Sequence, residues 1–464
     1  MKIHNSLKIR LLICVIFLIH SVVKAQPPAW VFQFKDDSLV ENKLISGIHE
    51  SHGQSIKNYR GADYIYAEEL YKEREALIVN LFKNNAVITD RELESYLTNL
   101  AGVIISSNPA IAKKKLRIYF SREFIPNATS FGDGTILFNI GLFSRLENEA
   151  QAAFVLGHEL AHFMLGHSEK SIEKYITGLY GDSVQQALKR IKSQEYNKSK
   201  DLQNLVNSQM FGFRKHSREN ERQADSMAVE YLKATRFDLS AARTCLALLD
   251  TIDIDRYQLA IPLENVLDFP EYPFRKKWLK PEENIFGSVK PDKDPVSDSL
   301  KTHPDCSKRI SYIFSATPEL KERKKFLVDS SMFISYQRKM EMEAAGYAYT
   351  SGNVSRALFY ALNLAEKYPG DPYPRILAGQ SLNALYEAMK NHQLRSISEM
   401  PGLRTESEYD NFIVFLENLR IQELASLSYY YHKKYQDSIK GNEYFTVSIQ
   451  RSVENYSKQN FQSK

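Results

Sequence analysis

Phe154-Val155-Leu156-Gly157-His158-Glu159-Leu160-Ala161-His162-Phe163 is the stretch that decides how this chain is read. On an α-helix, residues four apart lie about 40° from each other around the axis, so the imidazoles of His158 and His162 can reach one metal ion. Glu159 stands about 100° from His158, where it can approach a metal-bound water without displacing a ligand. Zinc held in this way acts as a Lewis acid and lowers the pKa of its water, while the glutamate takes the proton. The flanks are apolar, and a His-Glu-His cluster among them is costly unless a metal or hydrogen bonds satisfy it. Such five-residue matches also arise by chance in helices, so the reading needs support from elsewhere in the chain.

A third ligand is the first thing to look for. His167 follows His162 by five residues, whereas a three-histidine site of the metzincin kind needs six. On a continuous helix it would point about 180° from His158. It is therefore expected at a helix C-terminus beside Gly166 and outside the ligand set. The acidic segment Ser217-Arg218-Glu219-Asn220-Glu221-Arg222-Gln223-Ala224-Asp225 offers an alternative. Glu221 and Asp225 are one helical turn apart and share a face. One carboxylate can bind zinc while the other orients a ligand histidine.

Around this centre the pattern is mainly helical. Thr89 and Glu92 have capping-box spacing, and Leu93, Tyr96, Leu97, Leu100 and Ile104 predict a helix over about 90–106. Leu116–Phe120 and Thr135–Asn139 read as two short strands that resemble a hairpin edge. Helical patterns follow over Glu147 to about Glu173, from near Glu219, and from near Cys306. Residues 262–304 hold seven of the 16 prolines and read as an extended surface segment or lid. From about 325 the chain reads as paired helices over 337–350, 354–367 and 373–391. Gly352, Ala357 and Pro369 have the spacing of a tetratricopeptide (TPR) repeat.

With these residues in place, the chain resembles the HtpX-like and BepA-like zinc metallopeptidases of the gluzincin group, from about residue 88 to 315. Four elements carry the resemblance in order: Asn127-Ala128 with Gly132-Asp133-Gly134, Gly141-Leu142 with the histidine helix, Glu221-Arg222-Gln223-Ala224-Asp225, and Thr302-His303-Pro304 through Arg309-Ile310. Thr129 stands where the family has Phe. The resemblance implies one Zn2+ held by His158, His162 and Glu221, with Asp225 as supporting carboxylate and Glu159 as the catalytic base. It also implies a role for His303, either as a fourth ligand that latches the resting site or as a donor to the tetrahedral intermediate. Read without the family, His303 is a turn histidine before Pro304. Arg309 would steady this loop or a carboxylate. The implied fold is α+β and mainly helical: a zincin-like domain with a small β-sheet edge, followed by a TPR-like helical domain.

The expected organisation is a signal peptide over 1–25, a helical extension over 26–86, the peptidase domain over 87–322, the TPR-like domain over 323–435 and a polar tail over 436–464. Lys2, Lys8 and Arg10 precede the apolar run Leu11–Ile19, and Val23-Lys24-Ala25 closes it, which is the pattern of a cleavable export signal. Only Cys245 and Cys306 would remain, too few for a disulfide framework. A formal charge of +5 over 464 residues, with no long run of one sign, gives no reason to expect nucleic acid. The resemblance then implies an envelope endopeptidase in the periplasm, acting on unfolded or misassembled polypeptides. The strand at Thr135–Asn139 would be the substrate edge, and the TPR-like domain would be the partner surface. A TPR scaffold or chaperone with a silent peptidase fold is the competing expectation, and a hydrolase of non-peptide substrates is a third.

Overall fold

The computed structural model describes residues 31–180, 182–193, 218–252, 262–280, 306–319, 322–399 and 408–460. The expected leader over 1–25 and the loop carrying His303 lie outside the described residues.

The architecture is mainly helical, with one four-stranded mixed sheet. Its strands are β1 (Val87–Ile88), β2 (Arg117–Ser121), β3 (Ala128–Ser130) and β4 (Thr135–Asn139), in the order β1-β2-β4-β3. The two strands expected as a hairpin pair in parallel instead, Arg117 opposite Thr135 through Ser121 opposite Asn139. The segment between them supplies β3, which runs antiparallel to β4. A strand followed by a third antiparallel strand forces the parallel return that a direct hairpin does not allow. β4 is therefore internal, and β3 is the outer strand on that side, which moves the expected edge from Thr135–Asn139 to Ala128–Ser130.

The helix over Arg91–Ser107 forms as its apolar spacing predicts, burying Leu93, Tyr96, Leu97, Leu100 and Ile104. Its cap differs. Asp90, not Thr89, accepts from the backbone N–H groups of Glu92 and Leu93. Thr89 is instead engaged with the N-terminal segment, accepting from Asp37 N–H through its hydroxyl and donating its own N–H to Asp36. That extension forms two packed helices, Ser38–Ser55 and Gly61–Lys83, of which the second lies against helix His167–Tyr180.

The histidine motif occupies a helix over Glu149–Met164, the motif helix. The helical pattern predicted to about Glu173 breaks after Leu165, where Gly166 takes φ +64°. This left-handed position, cheap only for glycine, ends the motif helix and starts a second over His167–Tyr180. The start of the motif helix is anchored by Glu149, fully buried. Its carboxylate accepts from Tyr96 OH and from the backbone N–H groups of Leu327, Val328 and Asp329.

Those last contacts blur the expected boundary at 322/323. Helix Ser330–Thr350 gives Phe333, Tyr336, Met340 and Ala344 to the core around the sheet and the motif helix, and gives Met342 and Ala345 to the core of the C-terminal helices. Arg122 fastens the same junction, being buried between Glu343 and Asp36. Beyond it, Val354–Lys367, Tyr373–Lys390, Ile421–Tyr435 and Glu443–Asn460 pack successively or through Tyr373–Lys390. The last helix corrects the expected polar tail. Its buried side chains are Phe445, Ser448, Ser452 and Asn455, so its inward face is mostly polar. The described part of the proline-rich segment, 262–280, is also no free lid: Leu263, Leu267, Phe269 and Trp278 are buried in the C-terminal core.

Candidate metal centre

Packing brings the motif helix and the acidic helix over 218–233 together. Ala224, Ala228 and Leu232 are buried, and a Cβ on Gly157 would sit 3.5 Å from that of Ala228. The contact places Glu221 and Asp225 beside His158 and His162. The Nε2 atoms of the two histidines face each other at 3.0 Å. The Glu221 carboxylate lies 3.5 Å from Nε2 of His158 and 3.4 Å from Nε2 of His162. Among the described residues, this is the group whose donor atoms gather closely enough to hold a metal ion.

These spacings fit zinc. Four ligands at bonds of about 2.0 Å around a tetrahedron stand about 3.3 Å apart, and the three observed separations bracket that value. Two imidazole nitrogens and one carboxylate leave a position open, which is the donor set of a catalytic rather than a structural site.

Supporting contacts hold each ligand. Asp225 approaches Nδ1 of His158 at 2.9 Å, which leaves Nε2 facing the cluster. Arg309, from helix Cys306–Ile313, donates twice to Asp225 at 2.7 Å and lies 3.2 Å from Glu221. Arg309, expected to steady its loop or a carboxylate, thus reaches both carboxylates. Burial opposes ionisation of Glu221, but hydrogen bonds from His158 and His162 and the charge of Arg309 hold its carboxyl well below the usual range. Burial likewise opposes ionisation of Asp225, and Arg309 and His158 outweigh it, so its pKa is lowered. For His158, desolvation pulls the pKa down, but Asp225 and Glu221 push it up to about 10.

Glu159 is buried beside a small cavity lined by Ala128 of β3, Leu142, Phe154, Val155 and Leu249. His167 is not among the three ligand residues, yet it is not the bystander its helical angle implies. The turn at Gly166 brings its Nδ1 to 2.9 Å from Nδ1 of His162, and it is only 3% exposed. Its Nε2 faces Oε1 of Gln223 at 3.3 Å. Desolvation, then the nearby His162, lower its pKa to about 4. The angle of about 180° holds only on an unbroken helix, and Gly166 turns the chain between the two histidines. Cys245 and Cys306 are both buried thiols, with no disulfide between them.

Comparison with known proteins agrees with this geometry. The model of Peptidase family M48 matches residues 88–317, a stretch that contains β2, β3 and β4, the motif helix, the acidic helix and Arg309. The chain is also 25% identical over 177 residues to a putative beta-barrel assembly-enhancing protease of Vibrio cholerae serotype O1. That match covers 36% of this chain and 35% of the relative.

Proposed function

Since this chain belongs, through residues 88–317, to peptidase family M48, we propose that it is a zinc-dependent endopeptidase acting on polypeptides. The observation that carries the reading is the convergence of His158, His162 and Glu221 beside Glu159. When bound, zinc supplies a Lewis acid that polarises a peptide carbonyl and acidifies water. The chain's own residues do the rest. Glu159 accepts a proton from the attacking water and passes it to the leaving amine. Asp225 and Arg309 keep His158 and Glu221 oriented toward the metal. The outer edge of β3 pairs with an extended substrate, because its backbone groups face away from β4. The apolar walls beside Glu159 receive an uncharged side chain next to the scissile bond.

His303 belongs to the same proposal. As a latch it closes the open position, and His303→Ala then raises cleavage. As a donor to the tetrahedral intermediate it is needed, and the same variant lowers cleavage. The name of the Vibrio relative supports extending the reading to quality control in the cell envelope, with export by residues 1–25 and partners bound by TPR-like C-terminal helices. No helix among the described residues is long and apolar enough to cross a membrane.

The decisive experiment compares wild type with Glu159→Gln for zinc content and for cleavage of an unfolded protein. Equal zinc and a loss of cleavage by about 10²- to 10⁴-fold, the usual worth of a general base, are expected. If both bind zinc and neither cleaves, even with His303 replaced, the scaffold reading takes its place.

A further inference from the structure

The contact of His167 with His162 has a polarity that the hydrogen-bond partners determine. Gln223 donates its amide nitrogen to Glu219 Oε1 at 2.9 Å, so its amide oxygen is the atom turned toward His167. An oxygen accepts, hence Nε2 of His167 carries the hydrogen. A neutral imidazole has one N–H, so Nδ1 of His167 is a bare acceptor. Its neighbour at 2.9 Å, Nδ1 of His162, must then be the donor. That assignment leaves the lone pair of His162 on Nε2, the atom facing His158 and Glu221. The opposite assignment would turn the Gln223 oxygen onto the Glu219 carboxylate, setting acceptor against acceptor.

We infer that His167 is a positioning residue for the metal site: with Gln223 it fixes the ring and tautomer of His162, as Asp225 does for His158. The two ligand histidines are therefore held by different means. His158 is held by a carboxylate neutralised by Arg309, and His162 by an uncharged relay running through the first residue of the following helix. The uncharged partner adds no negative charge to a cluster that already contains two carboxylates.

The inference rests on the zinc-site reading, so its test reads metal binding and tautomer rather than cleavage. Zinc affinity is measured by chelator competition on the full chain, and the His162 ring is followed by ¹⁵N NMR in the metal-free protein. His167→Leu removes the acceptor and should weaken zinc binding by about 10- to 100-fold, the usual effect of losing a partner to a ligand histidine. The His162 ring should also change from one tautomer to a mixture. His167→Asn keeps an acceptor facing His162 and a donor facing Gln223, and should recover most of the affinity. Gln223→Leu should have a smaller effect in the same direction. Unchanged affinity in a folded His167→Leu overturns the inference, as does an equal loss in the Leu and Asn variants, which would mark a packing role. If wild type takes up no zinc, the endopeptidase reading fails. The metal-free tautomer then still decides the relay: a single Nδ1–H form supports it and a mixture overturns it.

Discussion

Two buried histidine clusters invite comparison. In the C-terminal helices, His432 is almost fully buried, with Nδ1 at 2.7 Å from the Ser428 carbonyl and Nε2 at 2.7 Å from Ser448 Oγ. Asn383 closes the set, donating to Ser448 and accepting from Ser428 Oγ. Every ring nitrogen there has its own protein partner. In the motif helix Nδ1 of His158 lies 2.9 Å from Asp225 and Nδ1 of His162 lies 2.9 Å from His167, while the two Nε2 atoms confront each other with a carboxylate alongside. Burial is the same in kind and the chemistry is opposite. A buried histidine marks a site when its nitrogens converge unspent, and marks architecture when each is answered nearby.

The sharpest way to break this contrast is Arg309→Leu. The guanidinium is held against Asp225, both buried, and lies close to the partly exposed Glu221. Removing one partner of a buried pair costs about 3–5 kcal/mol, because a charge is left uncompensated. Urea unfolding of the metal-free variant should show that loss, and saturating zinc should restore more stability to it than to wild type. An unchanged midpoint would mean the carboxylates are held by something other than Arg309. The zinc dependence separates the clusters, since substitutions around His432 should respond to zinc no differently from wild type.

The same contrast explains what was legible in the sequence. His158, His162, Glu221 and Asp225 sit at helical spacing within two short stretches, so geometry on one helix suffices to pair them. Arg309 meets Asp225 across 84 residues, and nothing local announces that partner. His167 escapes single-helix geometry because Gly166 at φ +64° turns the chain between it and His162. The parallel pairing of β2 with β4 was hidden because β3 is only three residues long, too short for alternation to show. The helix Glu443–Asn460 escaped because its inward face carries Ser448, Ser452 and Asn455, and Ser448 meets Asn383 and His432 across the interface. Periodicity detects apolar faces, and this face is hydrogen-bonded instead.

A second prediction sets the clusters apart by pH. Burial lowers the pKa of His432 from 6.5 to about 4. The folded form therefore disfavours the proton that the unfolded chain accepts. Stability from this residue is complete above about pH 6.5 and drains away as pH falls toward 4, by about 3 kcal/mol in all. In His432→Gln that part of the acid sensitivity should vanish, so the gap between wild type and variant narrows on acidification. Urea midpoints measured from pH 7.5 to 4, with and without chelator, check both the slope and its independence from metal. A constant gap would show that His432 does not titrate across this window.

The smallest effect expected is that of Ser448→Ala. Its hydroxyl hydrogen is the donor to Nε2 of His432, and its oxygen accepts from Asn383. Asn383 keeps a second acceptor in the Ser448 backbone carbonyl, so the main loss is one unanswered ring acceptor. The lower end of the range for a buried unsatisfied group applies, about 1 kcal/mol. Zinc content and cleavage of an unfolded protein should not change, since no contact of Ser448 reaches the peptidase core. A loss of cleavage with stability intact would join the two clusters functionally, through helix Ser330–Thr350 that both cores share. The contrast drawn above would then be one of chemistry only, with the C-terminal helices setting the state of the metal centre.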